Sequence, residues 1–254
     1  MGDLLITNGT IVDGSGGEPF VGDVAVRDGR IVGVGAPGSL GTNAAEVIDA
    51  TGMIVTPGFV DIHTHYDGQV TWDPYLTPSS WHGVTTVVMG NCGVGFAPVR
   101  PDKRRWLVEL MEGVEDIPGT ALTEGMRWGW ETFPEYLDFL ETMPRALDVG
   151  AQIAHGPVRA YVMGDRGARN EPATPEDVER MAAIVKDAIA AGALGFSTSR
   201  TLMHKALDGT PVPGTYADEA ELFGIGAALA ELGAGLFEVS PSGVAGENDG
   251  AFPE

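Results

Sequence analysis

The sequence predicts an α/β fold: a partial (β/α)8 barrel of the TIM type, preceded by a small antiparallel β-sandwich module. Three observations carry this reading. Up to Gly58, short β-branched runs are separated by Asn-Gly and Asp-Gly turns, the pattern of antiparallel strands. Beyond Thr56-Pro57-Gly58, apolar runs alternate with segments of helical period, the pattern of parallel βα units. The third is a count: about five such strands fit between Phe59 and Glu254, where a closed barrel needs eight strands and roughly 250 residues. The expected domains are a β module over 1–58 and an incomplete barrel over 59–254, and the chain reads as a fragment of a longer protein.

In the β module, strands are expected at Leu4-Leu5-Ile6, Thr10-Ile11-Val12, Asp23–Val26, Arg30–Val34 and Val47-Ile48-Asp49, with turns at Asn8-Gly9, Asp13-Gly14 and Asp28-Gly29. The hairpin from Val24 to Val32 is the clearest, because Asp28-Gly29 tolerates the positive φ that a tight hairpin turn requires. In the barrel segment, strands are expected at Phe59–His63, Thr85–Met89, Val149–Ala154, Leu194–Thr198 and Gly235–Val239. Helices are expected at Lys103–Met111, Phe133–Thr142, Pro175–Ala191 and Ala217–Leu232. The third helix opens with a threonine cap, a proline in its first position and two acidic residues, Thr174-Pro175-Glu176-Asp177. Its apolar positions, among them Val178, Met181, Val185 and Ile189, recur at helical spacing.

Composition narrows the function classes. With 43% hydrophobic and 20% charged residues the chain carries enough apolar material for globular domains. No run approaches the eighteen or so apolar residues of a membrane span, and Leu4-Leu5-Ile6 is too short for a signal peptide, so a cytoplasmic location and no membrane partner are expected. Fifteen basic against 36 acidic residues give a formal charge of -21, which repels phosphate backbones and argues against a nucleic-acid partner. The single cysteine, Cys92, excludes an intrachain disulfide, so any importance it has is chemical.

Ile62-His63-Thr64-His65 follows an apolar strand and a Pro-Gly turn. In extended backbone, residues two apart point to one side, so His63 and His65 can meet a single divalent ion, with Asp61 and Asp67 available to orient the rings. A His-x-His pair also arises without a metal. Its place at the C-terminal end of the first barrel strand, where this architecture carries its chemistry, favours the ion.

Gly52-Met53-Ile54-Val55-Thr56-Pro57-Gly58-Phe59-Val60-Asp61-Ile62-His63-Thr64-His65 resembles the amidohydrolase superfamily. Within it, Gly83-Val84-Thr85-Thr86-Val87-Val88-Met89-Gly90-Asn91-Cys92-Gly93 and Glu112–Gly119 are similar to the D-aminoacylase family, the N-acyl-D-amino-acid deacylases. The resemblance implies a divalent metal, zinc being expected, held by His63, His65 and Cys92. It also implies hydrolysis of a linear, non-peptide amide C–N bond in an N-acyl amino acid. Cys92 as a buried small hydrophobe is the alternative on chemical grounds.

The same resemblance implies two further histidine ligands on the fifth and sixth strands and a catalytic aspartate on the eighth, beyond residue 254. Here the fifth strand reads Leu236-Phe237-Glu238-Val239-Ser240-Pro241, with no histidine, and Glu238 is the one residue there able to substitute. Candidate substrate contacts are Arg200, as a partner for a carboxylate, Tyr216, as a hydrogen-bond donor, and His155 at the end of the third strand, with an exposed arginine, a packing tyrosine and a structural histidine as the alternatives. His204, in the polar loop Arg200–Thr215, reads as a solvated histidine, and His82 as structural. A cyclic amidase of the hydantoinase or dihydropyrimidinase kind is the alternative activity. Its usual mark, a lysine on the fourth strand, is missing from Leu194-Gly195-Phe196-Ser197-Thr198. A third reading is a non-catalytic remnant or interaction module, since five strands leave an open edge that invites a second polypeptide or a homo-oligomer.

Overall fold

The structure is a computed structural model that describes residues 2–243. The chain end at Ala251-Phe252-Pro253-Glu254 lies outside the described residues. Two compact units are present, Met1–Phe59 and Val60–Glu254.

The first unit contains β1 (Gly2–Ile11), β2 (Phe20–Arg27), β3 (Arg30–Gly35), β4 (Ala44–Asp49) and β5 (Ile54–Val55) in one sheet of order β3-β2-β1-β4, with β5 also on β1. Strands β1, β2 and β3 pair antiparallel, but β4 and β5 both run parallel to β1. The expectation of an antiparallel sandwich is therefore corrected to a single mixed sheet. Glycine-punctuated runs announce strands but not their direction, which is set by where residues 36–43 carry the chain. Leu4-Leu5-Ile6 and Thr10-Ile11 belong to one strand rather than two. Asn8, at φ 59, bulges the strand where its register on β2 shifts between Ile6 and Gly9. Its N–H donates to buried Asp23 Oδ1 at 2.9 Å. The β2–β3 hairpin forms as expected, with Arg27 opposite Arg30 and positive φ at both Asp28 and Gly29.

The second unit is built on a five-stranded sheet in chain order, β6 (Phe59–Asp61), β7 (Val84–Met89), β8 (Asp148–Ala154), β9 (Gly195–Ser199) and β10 (Leu236–Ser240). The pairs from β7 to β10 are parallel, giving half of a barrel sheet. Its helices are α1 (Arg104–Glu115), α2 (Gly119–Gly125), α3 (Phe133–Glu141), α4 (His155–Met163), α5 (Asp165–Ala168), α6 (Pro175–Ala191) and α7 (Glu219–Leu232). Sequence pattern missed α2, α4 and α5. In α4 nearly every residue is buried, Gly156 and Pro157 included, so no polar face exists to mark a helical period. Pro157 is tolerated because it sits in the first turn.

Helix α6 forms over the predicted residues. Thr174 Oγ1 accepts from the Asp177 N–H at 3.2 Å, and Asp177 Oδ2 accepts from the Thr174 N–H at 3.1 Å. Gly192 ends it at φ 117, in the left-handed region. Its Met181, Val185 and Ala188 are buried in the core with Phe196 and Ile153. Thr174→Ala is expected to lower stability by about 1 kcal/mol, read as a shift in the urea midpoint with unchanged slope.

The pleat sorts the two faces of β9 and β10. Phe196, Thr198 and Phe237 face the helices: Phe196 lies 5.1 Å from both the Phe237 and His155 rings, and Thr198 Oγ1 is 2.8 Å from His155 Nδ1. The alternate residues Ser197, Ser199, Glu238 and Ser240 face the opposite side. That opposite side carries the candidate site.

Candidate metal centre

Strand β6 ends at Asp61, and the next residues turn onto the end of β7. Thr64 is fixed there, since both its N–H and its hydroxyl donate to Val88 O, at 2.9 and 2.8 Å. The histidines on either side of it stand with ring centroids 5.4 Å apart. Asp61 does not orient a ring; its carboxylate accepts from the His63 backbone N–H at 3.3 Å.

The Gly90-Asn91-Cys92-Gly93 turn at the end of β7 brings the sulfur to this pair, and His63 Nε2 lies 3.2 Å from Cys92 Sγ. The turn runs through the left-handed region at three residues, Gly90 (φ 78), Cys92 (φ 57) and Gly93 (φ 70). A non-glycine residue there costs energy and persists where its surroundings hold it. Those surroundings are specific. Asn91 donates to Thr64 O at 3.1 Å and Val88 O at 3.0 Å, and accepts from Gln152 Nε2 at 2.8 Å. The Cys92 N–H donates to Glu238 Oε2 at 3.1 Å, the Gly93 N–H to Ser197 Oγ at 3.1 Å, and the Ser240 hydroxyl reaches Cys92 Sγ at 3.3 Å. Asn91, at 1% exposure, is thus the buried tie between the ends of β6, β7 and β8.

Two residues that the sequence did not assign to the site complete the surroundings. Glu115 closes α1, which stops because Asp116 takes a left-handed φ of 54, and its Oε1 lies 3.3 Å from His65 Nε2. His204 is half-buried rather than solvated, with Nδ1 2.8 Å from Ser199 Oγ. The donors form two triads sharing Cys92: His63, His65 and Cys92, and Cys92, Glu115 and His204. Within each triad the ligand atoms lie within 4.8 Å of one another.

The electrostatics are those of a cluster tuned for a cation. Burial pushes the Cys92 thiol up to about 12, with Glu115, Glu238 and Asp67 adding to it. Burial also raises Glu115 to about 7 and Asp67 to about 8. His65 is driven down to about 4 by burial, then by His63 and His204. Without a positive ion each acidic group is pushed toward its neutral form, and a bound cation reverses this by holding the sulfur as thiolate. His65 Nδ1 and Asp67 Oδ2 are buried with no hydrogen-bond partner among the described residues. A thiolate, two imidazoles and orphaned buried polar atoms fit a divalent ion of the zinc type.

Residues 46–250 match the profile described as "Amidohydrolase family". The chain belongs to the amidohydrolase family. It is 36% identical over 197 residues to a D-aminoacylase of Alcaligenes xylosoxydans xylosoxydans, covering 77% of this chain and 37% of that protein. Among solved structures, a D-aminoacylase described as defining a novel subset of amidohydrolases superposes with a TM-score of 0.73 at 32% identity, over 93% of this chain and 44% of that one. An N-acyl-D-glutamate deacylase from Bordetella bronchiseptica, crystallised with zinc and a phosphonate mimic of the tetrahedral intermediate, gives 0.71 at 31% identity, over 98% and 46%. The chain therefore spans less than half the length of each of these three proteins.

In this amidohydrolase chain His155 belongs to neither donor triad. His155 is fully buried on the helix-facing side, its nitrogens 2.8 Å from Thr198 Oγ1 and from Glu221 Oε1. His155 thus stands at the end of β8, with its ring on the helix-facing side of the sheet. Arg200 Nη1 donates to Ala217 O at 2.6 Å and Gly214 O at 3.3 Å, clamping its own loop. With Tyr216 it lines a cavity of about 790 Å³ beside Phe223, Phe237 and Val239. Phe237 and Val239 belong to the opposite face of β10 from Glu238, so this cavity is not the metal face. His82 is exposed before β7, at the far end of the sheet from the donors. Neither Glu115 nor His204 carried a local signal, since each depends on a loop returning to the sheet.

Proposed function

We propose that this chain is the metal-binding part of an amidohydrolase acting on the linear amide bond of an N-acyl amino acid, in particular an N-acyl-D-amino acid. The convergence of His63, His65 and Cys92 carries this reading. The relatives and structures that match at 31–36% identity are named for that chemistry. His63, His65 and Cys92 are the assigned ligands. A bound zinc ion supplies Lewis acidity toward the amide carbonyl and lowers the pKa of water. The chain's own residues hold the ligands in place: Asn91 fixes the turn, Glu238 takes the Cys92 N–H, and Ser240 supports the sulfur. Glu238, engaged in this way, belongs to neither donor triad. The base is assigned to an aspartate beyond residue 254.

The same proposal includes domains at 1–58 and 59–254, a cytoplasmic location, and a second polypeptide or second copy along the β10 edge. Among the described residues no helix is long and apolar enough to cross a membrane. Zinc measured by mass spectrometry in the purified chain is expected to fall in both Cys92→Ser and His63→Ala. The affinity loss should exceed the roughly 10–100-fold cost of disturbing a ligand's hydrogen-bond partner. Unchanged zinc in both variants would remove the ligand assignment. Turnover of N-acetyl-D-amino acids over their L-forms by the full-length protein is the expected substrate result. Turnover of hydantoins alone would move the reading to a cyclic amidase.

A further inference from the structure

We propose that the cavity between α1 and α2 binds a small zwitterion of dipeptide length. Its carboxylate lies on Arg104, its ammonium on Glu112 and its apolar body against Val108 and Trp128, and the site is separate from the metal centre. The cavity holds about 570 Å³, within the roughly 300–1,000 Å³ of small-molecule sites. Arg104, Val108 and Glu112 line it at intervals of four residues, so they form one stripe along α1: a cation, an apolar side chain and a carboxylate. Eight residues of helix set the charged ends about 12 Å apart along the axis. Arg104 and Glu112 form no salt bridge with each other or with any other described residue. Their neighbours Arg105 and Glu109 also line the cavity but are joined to each other at 2.7 Å.

An arginine without a carboxylate is unusual in a chain of 36 acidic and 15 basic residues. Arg104 is half-buried, and its Nε is buried with no hydrogen-bond partner among the described residues. Its Nη2 donates to Trp130 O over a long 3.4 Å. A buried donor left unmade in this way costs stability unless something else accepts from the group. The guanidinium carbon lies 5.2 Å from the centroid of the Trp128 ring, which holds the fork in place, and a fixed guanidinium takes a carboxylate through two parallel N–H bonds. Helix α1 opens on Arg104 and Arg105 with no acidic residue in its first turn, the reverse of the usual preference, so its positive end also favours an anionic group. At the other end of the stripe, the Glu112 carboxylate lies against Gly119, in the space a side chain there would take. Thr120 and Thr123 add hydroxyls to the lining, which can donate to or accept from a peptide bond. An extended dipeptide spans about 7 Å, and the long arginine and glutamate side chains cover the remainder.

The test is calorimetric titration of leucyl-leucine into the whole chain, both zinc-loaded and after treatment with chelator. Binding is expected in both states. N-acetyl-leucyl-leucine, which lacks the ammonium, and leucyl-leucinamide, which lacks the carboxylate, should each bind about tenfold more weakly or worse, the loss of one charge-assisted contact. Arg104→Gln should weaken leucyl-leucine by a similar factor and no longer distinguish it from the amide. Glu112→Gln should no longer distinguish it from the acetylated peptide. Far-ultraviolet circular dichroism checks that the variants fold, and Glu112→Gln, which keeps the side-chain shape, decides the matter if Arg104→Gln does not. No binding to wild type, binding confined to the zinc-loaded chain, or equal affinity in wild type and the folded variants overturns the site. An acetylated peptide that binds as tightly as the free one overturns the zwitterion. None of these results touches the zinc ligands, which are read separately from Cys92→Ser and His63→Ala.

Discussion

Replacing Glu221 with alanine should destabilise the folded chain by about 3–5 kcal/mol, the cost of leaving a buried charge without its counter-ion. Both carboxylate oxygens of Glu221 lie 2.7 Å from Arg159 Nη1, and Oε1 also lies 2.8 Å from His155 Nε2. Arg159 and Glu221 are each 1% exposed, and His155 is at 0%. With Glu221 removed, the guanidinium keeps Glu171 O as an acceptor but has no negative charge, in a place water does not reach. Against a total stability of 5–15 kcal/mol typical of a domain, this is a large fraction. Urea unfolding measures it, and a change under about 1 kcal/mol would show that the network is neutral to stability. Glu221 also links the fold to pH. Burial alone would raise its carboxyl, but the hydrogen bond with His155 and the charge of Arg159 hold it below the ordinary glutamate value. Its contribution is therefore present above that ordinary value and is lost as pH falls through the lower, folded one.

Gly90→Ala should be nearly as damaging, and it should take the metal with it. A Cβ at Gly90 would lie 2.0 Å from Gln152 O, a backbone atom of the neighbouring strand, and the residue's φ is +78. Left-handed backbone costs an alanine roughly 1–2 kcal/mol, and overpacking typically adds 1–3. The escape routes are separation of the β7 and β8 ends or rotation of the turn. Either one displaces Cys92, two residues on. We expect a loss of about 2–5 kcal/mol in urea unfolding together with weakened zinc retention. Gly209→Ala is the control: its φ is +84, but nothing lies within 4 Å of the added carbon. It should show the conformational cost alone and leave zinc unchanged. Equal effects of the two substitutions would mean that the close strand approach at Gly90 is not what the turn depends on.

Much of this protein is legible residue by residue because the deciding interactions are local. The β2–β3 turn is written in Asp28-Gly29, and α6 in Thr174-Pro175 and the spacing of its apolar side chains. The five strands of the second sheet are written in their apolar runs. His63 and His65 are near neighbours in the chain at a strand end, and Cys92 follows the next strand, so this candidate donor group can be picked out before any fold is seen. What the tertiary structure alone decided is which distant residues meet and on which side of the sheet. Strands β4 and β5 run parallel to β1 because of the path of their connections, which strand propensity does not encode. His155 and Arg200 sit at strand ends but lie with the helices, because the pleat sends Phe196, Thr198 and Phe237 that way and Ser197, Ser199 and Glu238 the other. Glu115 and His204 join Cys92 only because a helix stops and a loop returns over the sheet. Such encounters are settled by chain path and packing, and no local pattern of residues records them.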